Sequence, residues 1–120
     1  MAKINFDTRD ELISLDLDLL AAVQASGSYT RAVYINKREF MLTVNISKVE
    51  EALNAYRSKG YRFIRLGRSV IINHRMLARI ELTKQILLLS DGDKNDIRVR
   101  IPKKILRQYK EAVASKGTQM

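Results

Sequence analysis

Along most of the chain, apolar and polar residues alternate in short runs that are broken repeatedly by Gly, Asn or Asp. That period of two, over four to eight residues at a time, is the pattern of half-buried strands. Glu11 to Leu15 predicts a short strand, Asp16 and Asp18 a turn, and Leu19 to Ala25 a buried apolar strand. Ser26-Gly27-Ser28 is a loop between that strand and Tyr29 to Ile35. Asn36-Lys37-Arg38 then makes a hairpin connection to Phe40–Val44, where Phe40, Leu42 and Val44 share a face. The period changes once, over residues 47 to 58. Val49, Ala52, Leu53 and Tyr56 fall at i, i+3, i+4 and i+7, Ser47 and Glu50 have the spacing of a capping box, and Gly60 is placed to end the helix.

Residues 61 to 75 combine core-forming Phe63, Ile64, Leu66, Val70, Ile71 and Ile72 with Arg62, Arg65, Arg68 and Arg75. The β-branched content and Gly67 predict a strand, a sharp break and a second strand, with Arg68 and Ser69 displayed on the turn. Beyond it, Ala78, Ile80 and Leu82 mark one strand and Ile86 to Leu89 another. An acidic loop over residues 91 to 96 leads to Ile97, Val99 and Ile101, which alternate with Arg98 and Arg100. Pro102 opens a second helix whose apolar side is Ile105, Leu106, Tyr109 and Val113. The sum is about eight short strands and two small helices: a mainly β fold with antiparallel sheets. Residues 1–10 read as a loosely ordered polar arm, 11–114 as the domain and 115–120 as a frayed tail.

Charge sharpens this picture. The net charge is +9, and residues 62 to 110 hold thirteen lysines and arginines against four acids, while the rest of the chain balances nine against nine. Such an uneven field points to a polyanionic partner, nucleic acid before a membrane surface. With 120 residues the chain is one domain. It has no cysteine, no apolar run near the roughly 18 residues that span a bilayer, and no apolar segment after Met1, so a cytoplasmic protein is the simplest reading.

Enzyme chemistry is poorly represented. His74 is the single histidine and has no carboxylate near it in sequence. The Asp91–Asp96 loop lacks the spacing and flanking helices of a calcium hand. No glycine pattern cradles a nucleotide phosphate. No enzyme activity, metal or cofactor is expected. Arginine forks suit phosphates and guanine edges, and Thr30, Ser69 and Asn73 are short side chains of the kind that position a backbone. Aromatic residues are only 7% of the chain, too few for a platform of stacked bases, which favours duplex DNA over single-stranded RNA. Three of these residues have a second reading. Arg65 could hold a structural pair, Asn73 a local strand-end bond, and Tyr29 could anchor in the core with its hydroxyl outward.

The order of motifs resembles the LytTR DNA-binding domain of bacterial response regulators, over roughly residues 11 to 113. The resemblance rests on Gly27-Ser28-Tyr29-Thr30, on the helix beginning near Ser47, and above all on Phe63-Ile64-Arg65-Leu66-Gly67-Arg68-Ser69-Val70-Ile71-Ile72-Asn73, against a family pattern of F-x-R-x-H-R-S-x-x-V-N. The closing strand and helix, Ile97 to Tyr109, also fall where the family has them. The resemblance implies a β-rich domain that binds duplex DNA through loops in successive major grooves. By position, Ser28, Tyr29, Thr30 and Arg31 would form a first contact, Arg68 and Ser69 a second with Asn73 closing the motif, and Lys103, Lys104 or Arg100 a third. Gly67 departs from the family's histidine, and Pro102 stands where many members carry a Ser-Arg pair. Members often carry a receiver domain ahead of this one, and 120 residues leave no room for it, so the chain reads as a stand-alone regulator or as a domain of a longer one. The expectation is a sequence-specific transcriptional regulator, two copies of which bind paired sites, with a regulatory protein as a possible further partner. The alternative is a basic module that binds a protein or RNA without reading DNA sequence.

Overall fold

A five-stranded antiparallel sheet divides the molecule into two hydrophobic cores. The structure, a computed structural model, describes residues 2–116. The strands are β1 (Lys3–Asp7), β2 (Leu12–Asp16), β3 (Leu20–Ser26), β4 (Tyr29–Tyr34), β5 (Glu39–Leu42), β6 (Phe63–Leu66), β7 (Val70–Asn73), β8 (Leu77–Glu81), β9 (Ile86–Ser90) and β10 (Asp96–Arg100). The helices are α1 (Ile46–Asn54) and α2 (Lys103–Lys116). The central sheet has the order β5-β4-β3-β7-β6, β1 pairs with β2, and β8, β9 and β10 form a third sheet. Every pairing is antiparallel.

Strand alternation explains the two cores. On β3 and β7, Val23 faces Ile71 across the ladder and Ala22 faces Ile72. Val23 and Ile71 join the first core, with Ile4, Leu15, Ala32, Leu42 and the α1 residues Ile46, Val49 and Leu53. Ala22 and Ile72 point the other way, into the second core with Leu66, Leu87, Leu89, Val99, Ile101, Leu106 and Tyr109. Strands buried on both faces lose their alternation, which is why Leu19 to Ala25 reads as one apolar run. The β1–β2 hairpin and α1 therefore cover one face of the central sheet, and β8–β10 with α2 cover the other.

Three expectations need correction. Residues 3–7 are not a loose arm. Ile4 and Phe6 alternate with Lys3, Asn5 and Asp7, and β1 pairs with β2 from Lys3↔Asp16 to Asp7↔Leu12. Ile4 is buried, and the Leu17 amide donates to the Ala2 carbonyl at 3.0 Å. The cap of α1 is Asn45, whose Oδ1 accepts from the Lys48 amide at 3.0 Å, and Ser47 and Glu50 are spent elsewhere. The helix ends at Asn54, and a 3-10 turn over Arg57–Lys59 leads to Gly60. Finally, Ser115 and Lys116 belong to α2, while residues 117–120 of the expected tail lie outside the described residues.

A side-chain contact fixes α2 against the end of β7. His74 Nδ1 lies 2.6 Å from the Tyr109 hydroxyl. Burial pushes the Tyr109 pKa up to about 12, so its hydroxyl remains a donor near neutral pH. Burial, and then the charges of Arg62 and Lys116, lower the His74 pKa below its usual 6.5, which favours the neutral ring that can accept this proton. A depressed folded-state pKa means that the unfolded chain binds the proton more readily. The resulting stability is present above about pH 6.5 and is lost as the pH falls through the lower folded-state value. Thermal melts between neutral and mildly acidic pH should show this fall, and His74→Gln should flatten it. An unchanged acid slope in His74→Gln would exclude the contact as its source.

Candidate nucleic-acid interface

The central sheet brings two turns to one end. The β3–β4 hairpin closes between Ser26 and Tyr29, around Gly27 and Ser28. The β6–β7 hairpin closes between Leu66 and Val70, around residues 67–69. Because β3 also pairs with β7, Gln24 faces Val70, and the Ala25 amide donates to the Ser69 carbonyl at 2.8 Å. The two turns are thus hydrogen-bonded neighbours. The first turn of α2 joins them: a Cβ on Gly67 would stand 2.8 Å from Ile105 Cδ1. At φ +67° and with that neighbour, Gly67 lets the turn and the helix approach each other closely. Pro102, Lys103 and Lys104 therefore sit beside residues 67–69.

Arg65 fastens this end to α1. On the α1 face of β6, its Nη1 donates to Ser47 Oγ and to Glu50 Oε1, both at 3.0 Å, and its Nη2 donates to the Arg68 carbonyl at 2.7 Å. Its side chain is 22% exposed, and its Nε is buried with no hydrogen-bond acceptor. One guanidinium fork thus ties the turn's backbone to a helix. Of the two readings that the sequence leaves open for Arg65, the geometry matches the structural pair. Ser47 and Glu50, spaced like a capping box, are its partners.

The other expected contact residues divide. Ser28, Arg68, Ser69, Arg100, Lys103 and Lys104 are exposed, and Tyr29 is 51% exposed. The basic groups of Arg68, Arg100, Lys103 and Lys104 enter no ion pair among the described residues. Thr30 is different: it is fully buried, and its hydroxyl donates to the Val44 carbonyl at 2.7 Å. Asn73 is 5% exposed, lies at the opposite end of β7, donates to the Leu20 carbonyl at 2.9 Å and accepts from the Arg75 amide at 3.1 Å. Both side chains are buried and hydrogen-bonded within the fold, which matches a structural role for each. Strand alternation puts Thr30 inward while its neighbours Tyr29 and Arg31 point to the other face.

Arg31 is half-buried. It bonds to Gln24 Oε1 and pairs with Glu39 at 3.4 Å, along a groove of about 530 Å³ that Val33, Asp96 and Arg98 also line. Gln24, not among the expected contacts, lies in cross-strand register with Arg31. Arg107 and Lys110, also not among them, repeat at helical spacing from Lys103. The acidic loop is a hairpin turn, in which Asp91 accepts from the Asp93 and Asn95 amides and from Asn95 Nδ2. The Asn95 side-chain bond leads the causes that hold the Asp91 carboxyl below its ordinary value.

An antiparallel β-rich scaffold that exposes Arg68 on a turn and Lys103 and Lys104 at the adjoining helix start has the basic surface expected of a nucleic-acid-binding domain. The comparisons agree. The family model described as the LytTr DNA-binding domain matches residues 10–113, and the chain belongs to that family of DNA-binding regulators. A solved LytTr DNA-binding domain, assigned to a methyl-accepting/DNA response regulator of Bacillus cereus, superposes with a TM-score of 0.60 at 18% identity. The match covers 94% of this chain and 97% of that one. None of the curated proteins matches the chain.

Loss of the Arg65 fork should be visible at a distance. Arg65→Gln removes a charged hydrogen-bond donor from a half-buried cluster, so the unfolding free energy in urea should fall by about 1–3 kcal/mol. Amide exchange at Ala25, whose partner is the Ser69 carbonyl, should accelerate at the same time. Unchanged stability and unchanged Ala25 protection would show that the fork does not hold the turn.

Proposed function

We propose that this domain is a sequence-specific transcriptional regulator that reads duplex DNA with turns inserted into the major groove. The observation that carries the reading is the meeting of three segments at one end of the sheet, with Arg68, Lys103 and Lys104 exposed there and in no ion pair among the described residues. Arg68 is the base-reading residue, since its side chain is exposed and its backbone is held by Arg65. An arginine fork fits the O6 and N7 acceptors of guanine. Ser28, Tyr29 and Ser69 flank it with hydrogen-bonding groups, and Lys103, Lys104 and Arg100 supply phosphate contacts. Arg31 contributes at the rim only if it exchanges its bond to Gln24 and its pairing with Glu39 for a phosphate. Arg65 acts through the position of the turn.

The domain takes in β1 at its start and runs through α2 to Lys116. It works in the cytoplasm. Two copies occupy paired half-sites, with a regulatory protein as a further partner. No chemical step is required of any residue, so the role is binding and not catalysis.

Selection from a random duplex pool at about 150 mM salt, where non-specific phosphate binding is suppressed, should enrich two short half-sites about one helical turn apart. Arg68→Ala should relax one position of each half-site, at about 1–3 kcal/mol. An unenriched pool despite low-salt binding would move the search to protein partners. Tighter binding of structured RNA in competition would move it to RNA.

A further inference from the structure

The contacts proposed above leave three cations of α2 without a role, Arg107, Lys110 and Lys116. Lys103, Arg107 and Lys110 stand at i, i+4 and i+7, which places them within about 60° of arc on one side of the helix. All three are exposed, and none enters an ion pair among the described residues. Leu106 and Tyr109 turn a different side of the helix into the core, about 100° round from the stripe. The stripe is therefore a solvent-facing row of cations on a helix whose orientation is fixed.

Two contacts set that orientation. Ile105 abuts Gly67, so the helix begins at the end of the sheet that carries the turns. Tyr109 meets His74, just past the far end of β7. From Lys103 to Lys110 the helix rises about 10 Å along the flank. The major groove of B-DNA is about 8.5 Å deep, and its walls are phosphodiester backbone. A turn that enters the groove brings its flank alongside a wall, and cations at this height meet phosphates.

The opposite flank is charged the other way. Residues 2–18 and 46–61, which build the β1–β2 and α1 layer, carry five basic against seven acidic residues. Residues 74–116, which build the β8–β10 and α2 layer, carry eleven against five. An inserted domain with these two flanks leans its α2 side toward the backbone.

We propose that the outer face of α2, through Arg107 and Lys110 in continuation of Lys103, is a sequence-independent phosphate-backbone track. It rests on the duplex-DNA reading above and extends the interface beyond the turns. The track adds affinity and salt dependence and leaves base preference to the turns.

The test measures binding of a labelled duplex carrying the enriched site from about 50 to 200 mM salt. In Arg107→Ala/Lys110→Ala the slope of log affinity against log salt should become shallower by about two, at about 0.9 per phosphate, with the enriched motif unchanged. Alanine suits an exposed helix position, and circular-dichroism melts check that the variant folds. Lys48→Ala/Lys59→Ala removes the same charge from the α1 side and should keep the wild-type slope. A wild-type slope in the α2 variant, or the same loss in both variants, would overturn the track. Failure of the unsubstituted protein to bind duplex at all is a distinct result, which removes the DNA reading and the track with it.

Discussion

Arg65 gives its guanidinium to three acceptors instead of to solvent, and the shape of the turn-bearing end follows from that. Ser47 and Glu50 belong to the first core's helix, and the Arg68 carbonyl belongs to the exposed turn. The same turn is held from the sheet by the Ala25–Ser69 bond and from the other layer by the Gly67–Ile105 approach. A three-residue turn left alone would sample many conformations. Fixed from three sides, it presents Arg68 with its backbone already ordered, so less conformational freedom is lost on binding.

The two-core architecture makes this clamp possible. One sheet with buried side chains on both faces can be covered by two different layers, each contributing one helix to the same end. The layers also differ in charge, and the excess lies in the layer of α2. Rigidity and field direction therefore come from the same arrangement: one helix holds the turn in place and the other lends it a basic flank.

Much of the fold was legible because short strands with alternating burial leave a period of two. The break at Gly67 was legible too, since a glycine between two β-branched runs has few other uses. The β1 strand carried the same alternation, in Ile4 and Phe6, but its polar neighbours and terminal place hid it. The exposed contact candidates Arg68, Lys103 and Lys104 lie on turns and helix starts, where local sequence speaks directly. Asn73 and Arg65 were open between two readings and Thr30 read as a contact, because the roles of all three depend on tertiary partners. Thr30 meets Val44, Asn73 meets Leu20 across the sheet, and Arg65 meets a helix fifteen or more residues earlier in the chain. The Ser47–Glu50 spacing misled for the same reason: a local motif was available, and a distant arginine used it.

The most direct measurement is the change in backbone amide shifts when the protein is titrated with the enriched duplex. The account expects the largest changes at Ser28, Tyr29, Arg68, Ser69, Lys103 and Lys104, weaker ones along the outer side of α2, and none in the β1–β2 hairpin. Changes centred on α1 and the β1–β2 hairpin, with the turns silent, would contradict it.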